Sequence, residues 1–288
     1  MTNNVISNFI NQKKNLFKNK ISDKIYLQNK KKIFNFSKKK FDRYQINKIN
    51  ISNIGLIKFP YFSFGKIKSY HLWDIEDLII FSFYKNNKNN YCRALDLGAN
   101  IGLHSIIFSK LGYKKILSYE PDPNHFKQLK LNLKLNNCKS VETINKAIFD
   151  KKKNLTFNRI LGNTTGSHII KMKKKPYGKI DIIKIKADKF LSLFKKKQKT
   201  LIKMDIEGAE SKCILTTKRE NWENTDAFIE ITDFKSAKKI FKHLKKIRVN
   251  IFSHKSGWDL VNSLRQMPYS YKEGMIFVSN KIVNLKYN

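Results

Sequence analysis

The sequence predicts an α/β fold with a doubly wound, mostly parallel sheet, and two stretches support this prediction. In the first, from Ala94 to Asp122, an apolar strand leads through a glycine turn into a helix and then into a second strand. In the second, an apolar strand from Leu201 to Asp205 opens into another glycine turn and helix. Units of strand, turn and helix are typical of sheets that are covered by helices.

The beginning of the chain differs from the rest in composition. Residues 1–58 are a Lys/Asn-rich mixture with isolated apolar side chains, among them Phe9, Phe17 and Phe36. We predict a basic, partly helical N-terminal extension that packs a few aromatic residues on a main domain at 59–288. The alternation of aromatic residues with lysines leaves contact with RNA or a membrane surface as an alternative.

Hydrophobic spacing and turn signals locate the elements of the main domain. A short hairpin or strand is expected at 59–67, around Pro60 and Gly65, and Asp188 is expected to cap a short helix. The other expected elements are, in chain order, an amphipathic helix at 71–84, strands at 91–96 and 115–119, helices at 101–111 and 123–136, a strand at 141–144, a hairpin-like insertion at 150–186 with a lysine run and a strand at 180–187, a strand at 201–205, helices at 209–217 and 236–246, and strands at 227–231, 249–252 and 275–279.

The first glycine turn has the features of a ligand site. Gly98 and Gly102 frame it, and glycine both accepts a positive φ and lets backbone N–H groups approach a ligand. Asn100 lies between them and is the residue type that next best tolerates a left-handed backbone. Glu120 follows the second strand, 24 positions after Asp96, and acidic residues near that spacing bind ribose hydroxyls in doubly wound folds.

The chemistry of the turn narrows the choice of ligand. Its sequence, G-A-N-I-G, does not meet the G-x-G-x-x-G pattern that binds a dinucleotide pyrophosphate, which disfavours a nicotinamide or flavin. The acidic Asp96 favours a ligand whose contacting part is cationic or zwitterionic. S-adenosyl-L-methionine fits, with an ammonium, a sulfonium and a ribose diol. An ordinary turn between strand and helix, without a ligand, is the alternative.

The chain carries a formal net charge of +37, with 53 lysines but only 6 arginines. The excess of lysine is typical of an A/T-rich coding sequence, but that bias does not explain why there are only 22 acidic residues. The positive field should attract polyanions, acidic glycans or an anionic membrane surface, weakly and less so at high salt. A solvated surface without a dedicated partner is the alternative.

The cysteines and the apolar runs indicate where in the cell the protein is located. Cys92, Cys138 and Cys213 lack metal-type spacing, so neither a zinc site nor a disulfide framework is expected. No run reaches 18 apolar residues, and the first residues do not resemble a signal peptide. We expect a cytoplasmic protein, with a peripheral position at the inner face of the membrane as a variant of that expectation.

Four motifs together give the chain a family resemblance. With DLGANIG at 96–102, YEPDP at 119–123, NKAI at 145–148 and IKMDIEGAE at 202–210, it resembles the FkbM-type methyltransferases over roughly residues 72–278. The resemblance implies a Rossmann-like class I methyltransferase fold, with a mostly parallel seven-stranded sheet flanked by helices. It also implies S-adenosyl-L-methionine as the cofactor.

The resemblance further implies roles for particular residues. It implies that the motif of Asp205, Glu207, Gly208 and Glu210 faces the methyl donor and the substrate. Because Asp205 and Glu207 lie at the carboxyl end of a central strand, we expect them to be the catalytic residues, with no metal ion. The cofactor contacts would come from the glycine turn and the ends of the strands: Asp96, Gly98, Ala99, Asn100, Gly102, Glu120, Pro121, Ala147 and Asp205.

The sequence leaves some of these roles open. Asp205 or Glu207 would take the proton of the acceptor hydroxyl, or instead Asp205 binds the methionine amine and Glu207 caps a helix. His104 is expected to pack beside the cofactor, and His168 is expected to be an ordinary loop histidine rather than a mobile base. A divalent ion held by Asp205, Glu207 and Glu230 is only weakly indicated.

The resemblance implies transfer to a hydroxyl of a sugar, glycan or other secondary metabolite. Methylation of a nucleic-acid base is disfavoured, since base methylases of this fold carry an Asn/Asp-Pro-Pro-aromatic motif where this chain has Asp205-Ile-Glu-Gly. No specific nucleic-acid partner is expected. RNA ribose methylation and a non-catalytic binding module remain the rival functions.

Overall fold

The computed structural model describes residues 4–11, 19–170, 178–283 and 285. Phe17 and the lysine run predicted near 171–175 lie outside these residues. The helices are α1 Val5–Asn11, α2 Lys24–Phe41, α3 Ile75–Asn87, α4 Leu103–Lys110, α5 Pro123–Leu135, α6 Glu210–Ile214 and α7 Phe234–Lys246. The strands are β1 Ile46–Ile51, β2 Gly55–Pro60, β3 Arg93–Leu97, β4 Ile116–Tyr119, β5 Val141–Ile144, β6 Ala147–Phe149, β7 Lys153–Ile160, β8 His168–Ile169, β9 Ile180–Lys189, β10 Thr200–Met204, β11 Thr225–Glu230, β12 Asn250–Ser253, β13 Asp259–Leu260 and β14 Met275–Ser279.

The main sheet has the order β13-β12-β14-β11-β10-β3-β4-β5. Strands β5, β4, β3, β10 and β11 are parallel to one another, and β14 is antiparallel to both β11 and β12. The predicted α/β fold with a mostly parallel sheet is thus confirmed. Within the described residues the sheet has eight strands rather than the seven expected, and the additional strand is the two-residue β13 at one edge.

Both faces of this sheet are buried, as a doubly wound fold requires. Neighbouring residues of one strand point to opposite faces, so Leu201 packs in one core cluster and Ile202 in the other. The first cluster also contains residues of α1 to α5, and the second contains residues of α6 and α7. The rigid sheet therefore lies between two helical layers, and its strand ends are fixed in place.

The N-terminal segment is joined to the main domain by its core. Phe41 of α2 stacks on Trp73 with ring centroids 4.8 Å apart, and both side chains are buried. The Asn136 side chain exchanges two hydrogen bonds with the backbone of Lys58, at 2.8 and 2.7 Å. The domain boundary predicted after residue 58 falls inside β2.

The hairpin or strand predicted at 59–67 forms only in part, as an antiparallel bridge between Ser63 and Lys68 on either side of Gly65. The larger hairpin lies earlier, at 46–60, where β1 and β2 pair with Ile49 opposite Ile57. Every second residue of β1 is buried, including Asn47, so one face of the hairpin belongs to the core. Residues 61–68 instead make isolated bridges, of which Gly65 to Asn163 ties this segment to the insertion.

The insertion forms a second sheet with the order β6-β9-β7-β8. Its central pair, β7 and β9, is antiparallel, which confirms the expected hairpin-like arrangement. Asp188 does not cap a helix, because it lies within β9 and its carboxylate contacts the Lys146 ammonium at 3.0 Å. The helix expected at 209–217 ends at Ile214, where the hydroxyls of Thr216 and Thr217 donate to main-chain carbonyls of the last turn.

None of the helices in the described residues has both the length and the apolar character needed to cross a membrane.

Candidate active site

The predicted site residues meet at one edge of the main sheet. The strands β3, β4, β10 and β11 are parallel, so the segments that follow them leave the sheet at the same edge. These segments carry the glycine turn at 98–102, Glu120 and Asp205, while Glu230 ends β11. The edge is where open α/β sheets place their ligands.

The glycine turn has the backbone that the sequence predicts. Gly98, Asn100 and Gly102 all have positive φ, at 81°, 52° and 91°. A Cβ atom at Gly98 would lie 1.8 Å from the main-chain oxygen of Asp205, and one at Gly102 would lie 2.4 Å from the Leu129 side chain. At these two positions glycine therefore allows the turn to pack against β10 and α5, rather than leaving room for a ligand.

Glu120 fastens the turn to the start of α5. One oxygen of its buried carboxylate accepts the Asn100 N–H at 2.7 Å, and the other accepts the Asp122 N–H at 2.8 Å. Burial raises the pKa of Glu120 to about 8, although both hydrogen bonds act in the opposite direction. Glu120, Pro121 and the turn are thus connected. Ala147 begins β6, and two residues before it the Asn145 side chain donates to the Glu120 carbonyl at 2.8 Å.

Asp96 supplies a buried acceptor beneath the turn. Its side chain is fully buried, and one oxygen accepts the Ser105 hydroxyl at 2.5 Å. Its other oxygen and the Asn100 side-chain oxygen are buried without a hydrogen-bond partner among the described residues. Unsatisfied buried acceptors suit a ligand that brings N–H or O–H donors, such as an ammonium group or a ribose diol. The residues present therefore fit S-adenosyl-L-methionine.

The end of β10 contributes a cluster of three half-buried carboxylates. Oxygens of Asp205, Glu207 and Glu230 lie within 4.8 Å of one another, so the structure brings both predicted catalytic residues together. Burial, followed by the charges of Asp205 and Glu207, raises the pKa of Glu230 well above its usual value. Such a cluster holds a proton readily, as an acid and base pair requires.

The turn after Asp205 is strained and is held by Glu210. Glu207 has a φ of 55° and Gly208 one of 98°. The buried Glu210 carboxylate accepts the N–H groups of Ile206 and Gly208, each at 2.9 Å. The N-cap residue of α6 is Ala209, which makes no side-chain cap hydrogen bond. The alternative in which Glu207 caps a helix stays a prediction. With this backbone, the Glu207 carboxylate lies within 4.8 Å of that of Asp205.

The two histidines singled out in the sequence are both buried. His104 lies between the Asp77 carboxylate, at 2.8 Å, and the Tyr84 hydroxyl, at 3.0 Å, and burial lowers its pKa to about 3. His168 lies in β8 rather than in a loop, with Nδ1 2.9 Å from the Gly166 oxygen. Neither is placed as a mobile base.

Sequence reasoning missed two charged residues of the site. Asp77 lies near the start of α3. Burial raises its pKa to about 7, and the charge of Lys203 acts in the opposite direction. The Lys203 ammonium lies 3.4 Å from the Asp205 carboxylate. Lys203 could have been found from the sequence, because it interrupts the otherwise apolar strand LIKM.

The raised pKa values predict how the stability of the donor-free protein varies with pH. Burial raises the pKa of Glu120 and Glu210 to about 8, so the folded state keeps protons that the unfolded chain loses near pH 4.5. The resulting stabilisation is full at acidic pH and is lost as the pH rises through 8, by up to about 1.4 kcal/mol per pH unit for each retained proton. We expect urea denaturation to show a lower free energy of unfolding at pH 8.5 than at pH 7. The Glu210→Gln variant should show a smaller difference, and equal stability at the two pH values would contradict the prediction.

The fold and the site together define a class of protein. A sheet with this strand order, a glycine turn after its first central strand and an acidic residue after the next is that of a class I S-adenosylmethionine-dependent methyltransferase. The family model described as the methyltransferase FkbM domain matches residues 96–260, which is more than half of the chain. The chain therefore belongs to the FkbM methyltransferase family, and its cofactor is S-adenosyl-L-methionine.

Three solved structures with a similar chain are remote in sequence. A ribosomal protein L11 methylase from Lactobacillus delbrueckii subsp. bulgaricus is 12% identical, over 70% of this chain and 76% of that one, with a TM-score of 0.40. An S-adenosylmethionine-dependent O-methyltransferase from Thermotoga maritima is 13% identical, over 71% and 66%, with a TM-score of 0.37. An S-adenosylmethionine-dependent methyltransferase from Agrobacterium tumefaciens is 8% identical, over 80% and 68%, with a TM-score of 0.40. No curated protein sequence matches the chain.

Proposed function

We propose that this methyltransferase transfers its methyl group to a hydroxyl of a sugar or glycan, with Asp205 as the general base. The observation that carries the proposal is the carboxylate cluster of Asp205, Glu207 and Glu230 at the sheet edge. It lies directly behind the glycine turn, because Gly98 packs on the main chain of Asp205. A hydroxyl presented at this edge would meet both the donor site and a proton acceptor.

The donor would be held by the turn and the residues around it. Asp96 and the turn at 98–102 would take the ammonium end, and Glu120 with Pro121 would take the ribose. Ala147 and its neighbours would border the adenine. When bound, the donor supplies an electrophilic methyl group on a sulfonium, and the sulfur is a good leaving group. Orientation of the methyl group by these residues therefore provides much of the acceleration.

The proton must go to a basic group, since a sugar hydroxyl has a high pKa. Asp205 is suited because the Lys203 ammonium, 3.4 Å away, favours its charged form. Burial and its acidic neighbours raise the pKa of Glu230 well above its usual value, so Glu230 is the member of the cluster that takes up a proton most readily. Glu207 would then orient the acceptor or take its proton in place of Asp205.

A labelling experiment tests the acceptor class. Purified enzyme and methyl-labelled S-adenosylmethionine are added to an extract of cells that lack the gene, and the extract is then treated with ribonuclease or with acid that cleaves glycosidic bonds. We expect label that resists ribonuclease and appears as a methyl ether of a sugar by mass spectrometry. Label released by ribonuclease would show an RNA acceptor and would refute the proposal.

We also propose that the basic surface contacts anionic membranes weakly. Helix α7 contains no acidic residue, and one exposed face carries six lysines: Lys235, Lys238, Lys239, Lys242, Lys245 and Lys246. Such a face gains about 1 kcal/mol per lysine near an anionic surface, and salt screens the attraction. We expect the protein to sediment with phosphatidylserine vesicles at low salt and to be released at high salt. Replacing the six lysines by glutamine should reduce binding more than replacing six lysines elsewhere, and equal reductions would contradict a role for α7.

A further inference from the structure

Lys203 is a buried charge in the middle of the catalytic edge. It is 7% exposed and lies in the fully buried central strand β10. In the sheet register it is opposite Asp96 of β3, so the two side chains project from the same face. Its ammonium is 3.4 Å from one oxygen of Asp205. Lysine is almost never this buried unless it is paired.

The electrostatic surroundings explain why the ammonium stays charged. Burial alone would lower the pKa of Lys203, but the charges of the surrounding carboxylates raise it above its usual value. These carboxylates are Asp205, Asp96, Asp77 and Glu230, in decreasing order of effect. They come from four different elements, at β10, β3, α3 and β11. The lysine is thus the shared counterion of the edge.

Two of these carboxylates, Asp205 and Glu230, could together with Glu207 be neutralised by a metal ion instead. The oxygens of Asp205, Glu207 and Glu230 are close enough to bind one divalent cation, and carboxylate oxygens are the ligands that Mg²⁺, Mn²⁺ and Ca²⁺ prefer. A divalent ion on these oxygens would lie next to the Lys203 ammonium and would be repelled by it. The lysine and a metal ion are therefore alternative ways of neutralising the negative charge of these carboxylates.

We propose that Lys203 is a positioning residue that takes the place of a divalent cation in this carboxylate cluster. Its ammonium fixes the Asp205 carboxylate at the end of β10 and balances the negative charge there, so that the site works without a metal ion. This inference rests on the proposed role of Asp205 as the base. A lysine that merely filled space could be replaced by an apolar side chain of equal length without changing the affinity of the cluster for cations.

Manganese binding to the full-length protein tests the proposal without an identified acceptor. The electron paramagnetic resonance signal of free Mn²⁺ is titrated with the wild type and with the variants Lys203→Met and Lys203→Arg. We expect no Mn²⁺ binding by the wild type or by Lys203→Arg, which keeps the positive charge. We expect Lys203→Met to bind Mn²⁺ at least tenfold more tightly than the wild type, because Asp205 and Glu230, two of the three carboxylates in the cluster, have lost their counterion.

The double variant Lys203→Met/Glu230→Gln is the matched control. It removes one positive and one negative charge together, so we expect the gained Mn²⁺ binding to be lost. Mn²⁺ binding by the wild type, or a Lys203→Met protein that folds and does not bind Mn²⁺, would overturn the proposal. If Lys203→Met does not fold, the double variant with its restored charge balance should fold, and a double variant that also fails to fold would assign Lys203 a purely structural role.

The catalytic consequence is measured by label transfer to the acceptor extract. We expect Lys203→Met to lose at least tenfold in kcat with little change in the donor KM, and Lys203→Arg to recover part of that loss. Binding of S-adenosylhomocysteine to the wild type is measured separately by calorimetry. Failure of that binding would refute the proposed function, whereas the Mn²⁺ titrations would still decide the role of Lys203.

Discussion

Replacement of Gly98 by alanine will weaken donor binding by about two orders of magnitude or more. Gly98 has a φ of 81°, and a Cβ atom there would lie 1.8 Å from the main-chain oxygen of Asp205. A left-handed backbone costs a non-glycine residue about 1–2 kcal/mol, and a contact this short with main chain can be relieved only by moving the turn away from β10. The turn carries the Asn100 N–H that Glu120 accepts, so its displacement breaks that contact as well.

We expect Gly98→Ala to lower the affinity for S-adenosylhomocysteine by about 100-fold or more, which corresponds to about 2.7 kcal/mol. The measurement is calorimetric titration, with urea denaturation to follow the free energy of unfolding. If the variant binds S-adenosylhomocysteine as the wild type does, the turn is not part of the donor site.

Gly112→Ala is the matched control for this substitution. Gly112 also has a left-handed backbone, with a φ of 85°, but a Cβ atom there would have no other atom within 4 Å. The control therefore carries the backbone strain without the collision, and it lies after α4, beyond the glycine turn. We expect it to lose about 1–2 kcal/mol of stability and to retain its affinity for S-adenosylhomocysteine.

The glycine turn and the strand ends could be predicted from the sequence because they depend on local rules. Positive φ at Gly98 and Asn100 follows from residue type, and the start of α5 follows from Asp122 and Pro123, whose capping role the structure shows. Glu120 could be placed at the same edge because consecutive parallel strands end together. These inferences needed no knowledge of distant contacts.

The parts that the sequence did not reveal depend on tertiary packing. The hairpin of β1 and β2 is hidden by its Lys/Asn-rich composition, and its buried face includes Asn47, which a hydrophobic pattern does not detect. Asp77 reaches the site only because α3 packs beside α4 and His104. Lys203 interrupts an apolar strand, and its partners Asp96 and Glu230 lie on other strands and become its neighbours only in the folded sheet.

Replacement of Asp205 by asparagine will remove most of the catalytic activity. The amide keeps the size of the side chain but cannot accept the proton of the acceptor hydroxyl. A positioned general base contributes about 10²–10⁴-fold to rate, so we expect kcat for label transfer to the acceptor extract to fall by about that factor. The measurement uses the wild type and the variant at equal concentration, with donor in excess.

A parallel titration with S-adenosylhomocysteine separates the two roles considered for Asp205. That ligand retains the methionine amine, so a carboxylate that binds the amine would lose affinity, whereas a base would lose turnover. We expect the loss in kcat to exceed the loss in affinity. Glu207→Gln is the control, because it changes a neighbouring carboxylate of the same cluster and should reduce kcat less than Asp205→Asn does. Full turnover by Asp205→Asn, or a loss confined to affinity, would show that the proton leaves the hydroxyl by another route.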